Sequence, residues 1–159
     1  MNNIQRKDIE IMAPAGSWES LSAAIKAGAN SVYFGIENLN MRSRSSNNFT
    51  TEDLREIVRI CNDAGVKSYL TINTVIYDED LRLMREIVDV AKESGVSAII
   101  AADVAVMSYA FSQGVEVHLS TQLSTINSLA CKFYQDLGIK RVVLARETNI
   151  QTIEEIRKT

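Results

Sequence analysis

Apolar and polar positions along this chain switch between two periods. Some short stretches alternate at every second residue: "VYFGI" at 32–36, "SYLTI" at 68–72 and "VEVHLS" at 115–120. Between such stretches, apolar residues return every three or four positions: Trp18, Leu21 and Ile25; Leu54, Ile57, Val58 and Cys61; Leu81, Met84, Val88 and Ala91; Ile126, Leu129, Ala130, Phe133 and Leu137; Ile150, Ile153 and Ile156. A period of two belongs to a strand with opposed faces, and a period near 3.6 to an amphipathic helix. The pattern predicts strands at about 9–14, 31–36, 67–73, 97–103, 116–120 and 140–146, each followed by a helix. The fourth helix is short, from about Ala105 to Gln113. Gly28, Gly65, Gly95, Gly114 and Gly138 each close a helical stretch just before a strand, where a left-handed residue without a Cβ ends a helix well. Ser17, Thr51 and Thr125 stand where N-caps are expected.

Strict alternation of strand and helix implies parallel strands joined by right-handed crossovers. The first turn, "APAGSWES", lacks the G-x-G-x-x-G of a doubly wound nucleotide fold. Nearly every strand ends in a polar residue, which is where barrel enzymes carry their chemistry. The expected fold is therefore α/β, a parallel (β/α) barrel of TIM type with about six of its eight units. Residues 1–159 form one incomplete domain that lacks the last two units, and the chain is read as part of a larger protein. Strands 1 and 6 would be open edges, so self-association or further chain is expected to cover them.

Alternation also sorts the faces. Pointing inward are Glu10, Met12 and Pro14; Tyr33 and Gly35; Tyr69, Thr71 and Asn73; Asp103; His118 and Ser120; and Arg146. Ile100, Ala102, Val143 and Ala145 are expected to point outward. A barrel interior built only for packing would be Val, Ile and Leu. This one converges on Asn73, Asp103, His118, Ser120 and Arg146, with Gln122 and Glu147 just above. Each buried polar group left unpaired would cost about 1–3 kcal/mol, so the cluster calls for a task. Simpler roles compete at each position. His118 can be a hydrogen-bonded core histidine, Ser120 part of a turn, Asp103 a helix cap, and Arg146–Glu147 a surface ion pair. Ser120 and His118 at i, i+2 do not by themselves make a nucleophile–base pair. The loop "ENLNMRSRSSNNFT" carries Arg42 and Arg44, which suit a carboxylate or phosphate.

Composition narrows the classes. A net charge of −3 with no basic block argues against this segment alone being a strong binder of nucleic-acid backbone. No apolar run approaches a membrane span, and the N-terminus has no signal-peptide core. Cys61 and Cys131 are far apart and fall on apolar helix stripes, so no metal site is expected and the cytoplasm is the expected compartment.

Several segments together resemble one family. "IEIMAPAGSWESLSAAIKAGANSVYFG", "NMRSRSSNNF", "LTINT", "IIAADVAV", "EVHLSTQLSTINS" and "GIKRVVLARE" are similar, in order and over essentially the whole chain, to the collagenase-like peptidases. Departures are small: Asn30 stands where Asp is usual, and the arginine loop has extra serines. The resemblance implies a (β/α)8 barrel. It also implies a divided function: peptidase by the older naming, prephenate-dependent hydroxylation of ribosomal or transfer RNA bases in other members, and ubiquinone hydroxylation in related ones. The family's iron–sulfur cysteines would lie beyond Thr159, so no cofactor is expected within this chain. On a peptidase reading His118, Ser120, Asp103 and Glu147 would be catalytic. Arg42, Arg44, Asn73, Gln122, Asn127 and Arg146 would bind substrate, whether a small carboxylate, a peptide or RNA. RNA base hydroxylation with a small carboxylic acid is the alternative, and a non-catalytic half-barrel scaffold the third. This segment alone is expected to be inactive.

Overall fold

The computed structural model describes residues 9–41 and 49–158. Six strands and six helices alternate: β1 (Met12–Pro14), α1 (Trp18–Lys26), β2 (Ser31–Gly35), α2 (Thr51–Asp63), β3 (Lys67–Ile72), α3 (Leu81–Ser94), β4 (Ala98–Ala101), α4 (Val104–Ser112), β5 (Val117–Leu119), α5 (Ser128–Asp136), β6 (Arg141–Val142) and α6 (Ile150–Ile156). The strands lie side by side in chain order, β1 to β6, and every pair is parallel. Together they form a half-barrel of parallel strands with alternating helices, as the alternation predicts.

The outward strand faces form the core. Val32, Phe34, Ile36, Leu70, Ile72, Ile99, Ala101, Val117 and Leu119 pack under Leu21, Leu54, Ile57, Val58, Met84, Ile87 and Val88 of the helices. Burying each large apolar side chain contributes about 1.5–3 kcal/mol, so this layer dominates the fold's stability. A smaller inward group contains Tyr69, Ala98 and Ile100, with Tyr33 against it. The expected faces therefore hold in β2, β3 and β5 but not in β4. There Ile100 faces inward while Ile99 and Ala101 face outward. All four β4 residues are buried and apolar, so alternation carries no signal in that strand. β6 is also shorter than expected. Val142 packs on the outer core and Val143 turns inward, the reverse of the expected face.

Caps set the helix starts. Ser17 accepts from the Ser20 amide at 3.2 Å in a reciprocal capping box. Thr50, not Thr51, caps α2, and Asn127, not Thr125, caps α5. Thr125 is buried instead. The five junction glycines all hold positive φ; at Gly95, the C-cap of α3, it is 76°. The apolar stripe of α5 does not reach the core: Leu129, Phe133 and Leu137 are exposed, as is Ile150 of α6. Beneath α5 the sheet has narrowed to the two residues of β6, which offer little surface to cover.

One glycine is required by close approach. The Asn40 side chain folds back on β2, and its Nδ2 donates to the carbonyls of Ile36 and Glu37, each at 3.3 Å. A Cβ at Gly35 would overlap the Asn40 carboxamide. Gly35→Ala is therefore expected to cost about 1–3 kcal/mol through overpacking, read as a lower melting temperature. An unchanged melting temperature would mean that the Asn40 seat is soft.

Candidate functional site

The inward face is divided into two levels. At the C-terminal ends of the strands lies a cavity of about 270 Å³. Met12, Tyr33, Met41, Ile100 and Val143 supply its apolar and aromatic wall. Asn40, Thr71, Asn73, Ser120, Thr121 and Gln122 supply neutral polar groups, and among the described residues Arg146 is the one cation in the lining. The Thr71 hydroxyl is already committed, donating to the Phe34 carbonyl at 2.9 Å.

Asn73 organises this mouth. Its Nδ2 donates to Ser120 Oγ at 3.3 Å, and its Oδ1 accepts from the Met41 amide at 3.2 Å. One side chain at the end of β3 thus ties the residues after β2 to the residue after β5. Ser120 Oγ also accepts from the Gln122 amide at 3.3 Å, capping the short 3-10 turn Thr121–Leu123. That turn lifts Thr121 and Gln122 onto the rim and ends at Ser124, which is left-handed with φ 48°. Among the described residues no base bonds Ser120 Oγ.

The second level lies at the opposite, N-terminal end. His118 is 2 % exposed and faces inward, but it does not line the mouth. Its Nε2 lies 2.8 Å from Glu116 Oε1, and its ring meets Tyr69 edge-on with centroids 4.9 Å apart. An ionised carboxylate only accepts, so Nε2 carries the proton. Burial pushes the His118 pKa below its ordinary 6.5, against the opposing pull of Glu116. The ring is therefore neutral at pH 7. Beside it, Glu10 accepts from Tyr69 Oη at 2.7 Å and from both terminal nitrogens of Arg141 at 3.0 Å. Those bonds, the Arg141 pair above all, hold the Glu10 carboxyl well below its ordinary 4.5. Burial and the neighbouring carboxylate push the Tyr69 phenol up to about 12.

The residues singled out from the sequence are therefore separated. Asn73, Ser120, Gln122 and Arg146 do meet in one cavity. His118 belongs to the lower level. Asp103 caps α4, its Oδ1 accepting from the Ala105 amide at 2.7 Å. Asn127 caps α5, accepting from the Ala130 amide at 2.9 Å. Glu147 sits on an exposed turn outside the cavity lining. Arg42 and Arg44 lie outside the described residues. The base network of Glu10, Tyr69 and Arg141 was not among the sequence candidates, although alternation does place Glu10 and Tyr69 inward. Arg141 escaped because the face count for strand 6 was off by one. Among the described residues no group of three or more His, Cys, Asp or Glu side chains is placed to hold a metal ion. Cys61 is fully buried, with its thiol pushed up to about 11 by burial, and Cys131 sits on another helix; both are free thiols.

The lower level has a signed pH dependence. Both His118 and Glu10 have depressed values in the folded chain, so the unfolded chain binds more protons in acid. Stability is full above pH 6.5 and should begin to fall below it as His118 meets its burial penalty, then fall again below 4.5 as Glu10 is drawn toward protonation. Urea midpoints measured from pH 8 to pH 4 check this. His118→Ala should be less stable at pH 8 yet lose the slope between pH 7 and pH 5; a wild-type midpoint that rises on acidification would contradict the assignment.

Comparison with known proteins supplies the lineage. The family model described as Peptidase family U32 matches residues 16–159. A protein named Collagenase from Porphyromonas gingivalis (strain ATCC BAA-308 / W83) is 64% identical over 152 residues, 96% of this chain and 36% of the relative. tRNA hydroxylation protein P1 of Bacillus subtilis (strain 168) is 36% identical over 154 residues, again 96% of this chain and 36% of the relative. The chain thus spans 36% of the length of these curated relatives. Among solved structures, the U32 peptidase Mk0906 superposes with a TM-score of 0.75 at 14% identity, over 94% of this chain and 64% of that one, a likeness of fold. Matched over nearly its whole length, the chain belongs to the peptidase U32 family.

Proposed function

We propose that this chain supplies the substrate-gripping mouth of a U32-family enzyme, and that the mouth takes a small organic anion or a peptide carboxylate. The supporting observation is Arg146, a cation beside neutral polar groups, with no other cation and no carboxylate among the described lining residues. Arginine binds a carboxylate through two parallel N–H bonds. The amide and hydroxyl groups of Asn73, Ser120, Thr121 and Gln122 offer further hydrogen bonds, while Tyr33, Met12 and Ile100 cover an apolar body.

For the complete protein, peptide hydrolysis is the first reading. It is supported by the name Collagenase on the relative at 64% identity. Hydroxylation of an RNA base with a small carboxylic acid is the second, and one observation favours it. Ser120 has the Asn73 carboxamide and the Gln122 amide as its side-chain partners, and His118 bonds Glu116, so among the described residues these two do not form a nucleophile–base pair. Cytoplasmic residence belongs to the same proposal, supported by two free cysteines; among the described residues no helix is long and apolar enough to cross a membrane. Self-association is also part of it, supported by the exposed Leu129, Phe133 and Leu137, and sedimentation decides it.

Full-length protein, wild type and Arg146→Ala, should be assayed side by side on a fluorogenic peptide and on unmodified transfer and ribosomal RNA. Peptide cleavage lost in Arg146→Ala supports the first reading, and RNA hydroxylation lost in it supports the second. By calorimetry Arg146→Ala should weaken carboxylate binding roughly tenfold or more, the scale of one charged hydrogen-bonding group. Unchanged affinity would contradict the proposed anchor.

A further inference from the structure

β1 and β6 are the outer strands of the sheet and share no backbone ladder. The mouth nevertheless has one wall on each. Met12 lies on β1, and Val143 and Arg146 follow β6. Among the described residues no strand pairing joins those two walls directly.

The base of the sheet provides a contact between the two strands. Glu10 and Arg141 are 131 residues apart in the chain, yet they meet as a two-pronged pair: Nη1 to Oε1 and Nη2 to Oε2, both 3.0 Å. Tyr69 of β3 stands between them. Its hydroxyl donates to Glu10 at 2.7 Å, and the Arg141 guanidinium lies 5.6 Å over its ring. Lys67 adds a bond to Glu10 at 3.3 Å. Glu10 is two residues before Met12, and Arg141 two before Val143. In extended chain, residues two apart share a face and stand about 7 Å apart along the strand. The pair therefore sits directly below the two walls.

We propose that Glu10 and Arg141 are positioning residues for the mouth, clasping β1 and β6 across the interior so that Met12, Val143 and Arg146 keep their spacing. This rests on reading the mouth as a ligand site, but the clasp itself is testable without a ligand. The competing account is an ordinary partly exposed ion pair. Its side chains are 21% and 41% exposed, and such a pair on a surface contributes little. What separates the two accounts is locality: a clasp protects the two edges together and acts only while both partners are present.

Amide hydrogen exchange on the full chain tests it, using wild type, Glu10→Gln, Arg141→Gln, the double variant, and Arg141→Lys. Each Gln variant should raise exchange in β1 and in β6 roughly tenfold by local opening while β3 and β4 stay protected. The double variant should go no further than either single, and Arg141→Lys, which keeps the charge, should retain most of the protection. Benzoate, used as the probe anion, should bind Glu10→Gln more weakly than wild type and Arg141→Lys nearly as well. The proposal is overturned by unchanged edges in both single variants, by effects that add in the double, by loss of protection spread evenly over all six strands, or by loosened edges with unchanged benzoate affinity. Wild-type protein that fails to bind benzoate would count against the mouth as a carboxylate site, and the exchange pattern would still decide the clasp.

Discussion

The burial of one strand face under the helices is the constraint from which the rest follows. Val32, Phe34, Leu70, Ile72, Ile99, Val117 and Leu119 leave water together beneath α1 to α4. Because strand side chains alternate, covering the outer face turns every other side chain inward. There is no choice about which residues occupy the interior once the outer register is set. A slip of one residue in β3 or β5 would exchange the apolar set for the polar one.

The inward residues then sort by height along the strands, and height decides their role. At the upper level neutral amides and hydroxyls bond each other and leave Arg146 facing the space between them. At the lower level the Glu10 charge is matched in place by Arg141 and Lys67, and the neutral His118 donates to Glu116, with Tyr69 packed among them. Matched charges suit a structural floor; an unmatched cation beside neutral donors suits a ligand. This division agrees with the general behaviour of such barrels, which keep chemistry at the C-terminal end of the strands and stability at the other.

Much of this was legible in the sequence. The glycines before β2 to β6 and the change of period mark the units, and the inward positions of Glu10, Tyr69, His118 and Ser120 follow from alternation alone. β4 was misread because "AIIA" is apolar on both faces, and β6 because a two-residue strand gives nothing to count from. The site was half legible. Asn73, Ser120, Gln122 and Arg146 converge as expected, but Asp103 and Asn127 are spent on helix caps, since a polar residue at a strand end serves equally as a cap. His118 and Ser120 share a face, yet level along the barrel depends on strand stagger, which a single sequence does not display. Arg141 pairs across 131 residues, and no local pattern announces such a contact.

The central claim is that the two levels of the inward face have different jobs, the upper one binding and the lower one holding. Two-dimensional NMR of the isotopically labelled chain, titrated with benzoate, tests this most directly. The account predicts saturable shifts in the amides of Met41, Asn73, Ser120 to Gln122 and Arg146, with those of Tyr69, His118 and Arg141 left in place. Shifts centred on the lower level, or none at the upper level at saturating probe, would contradict it.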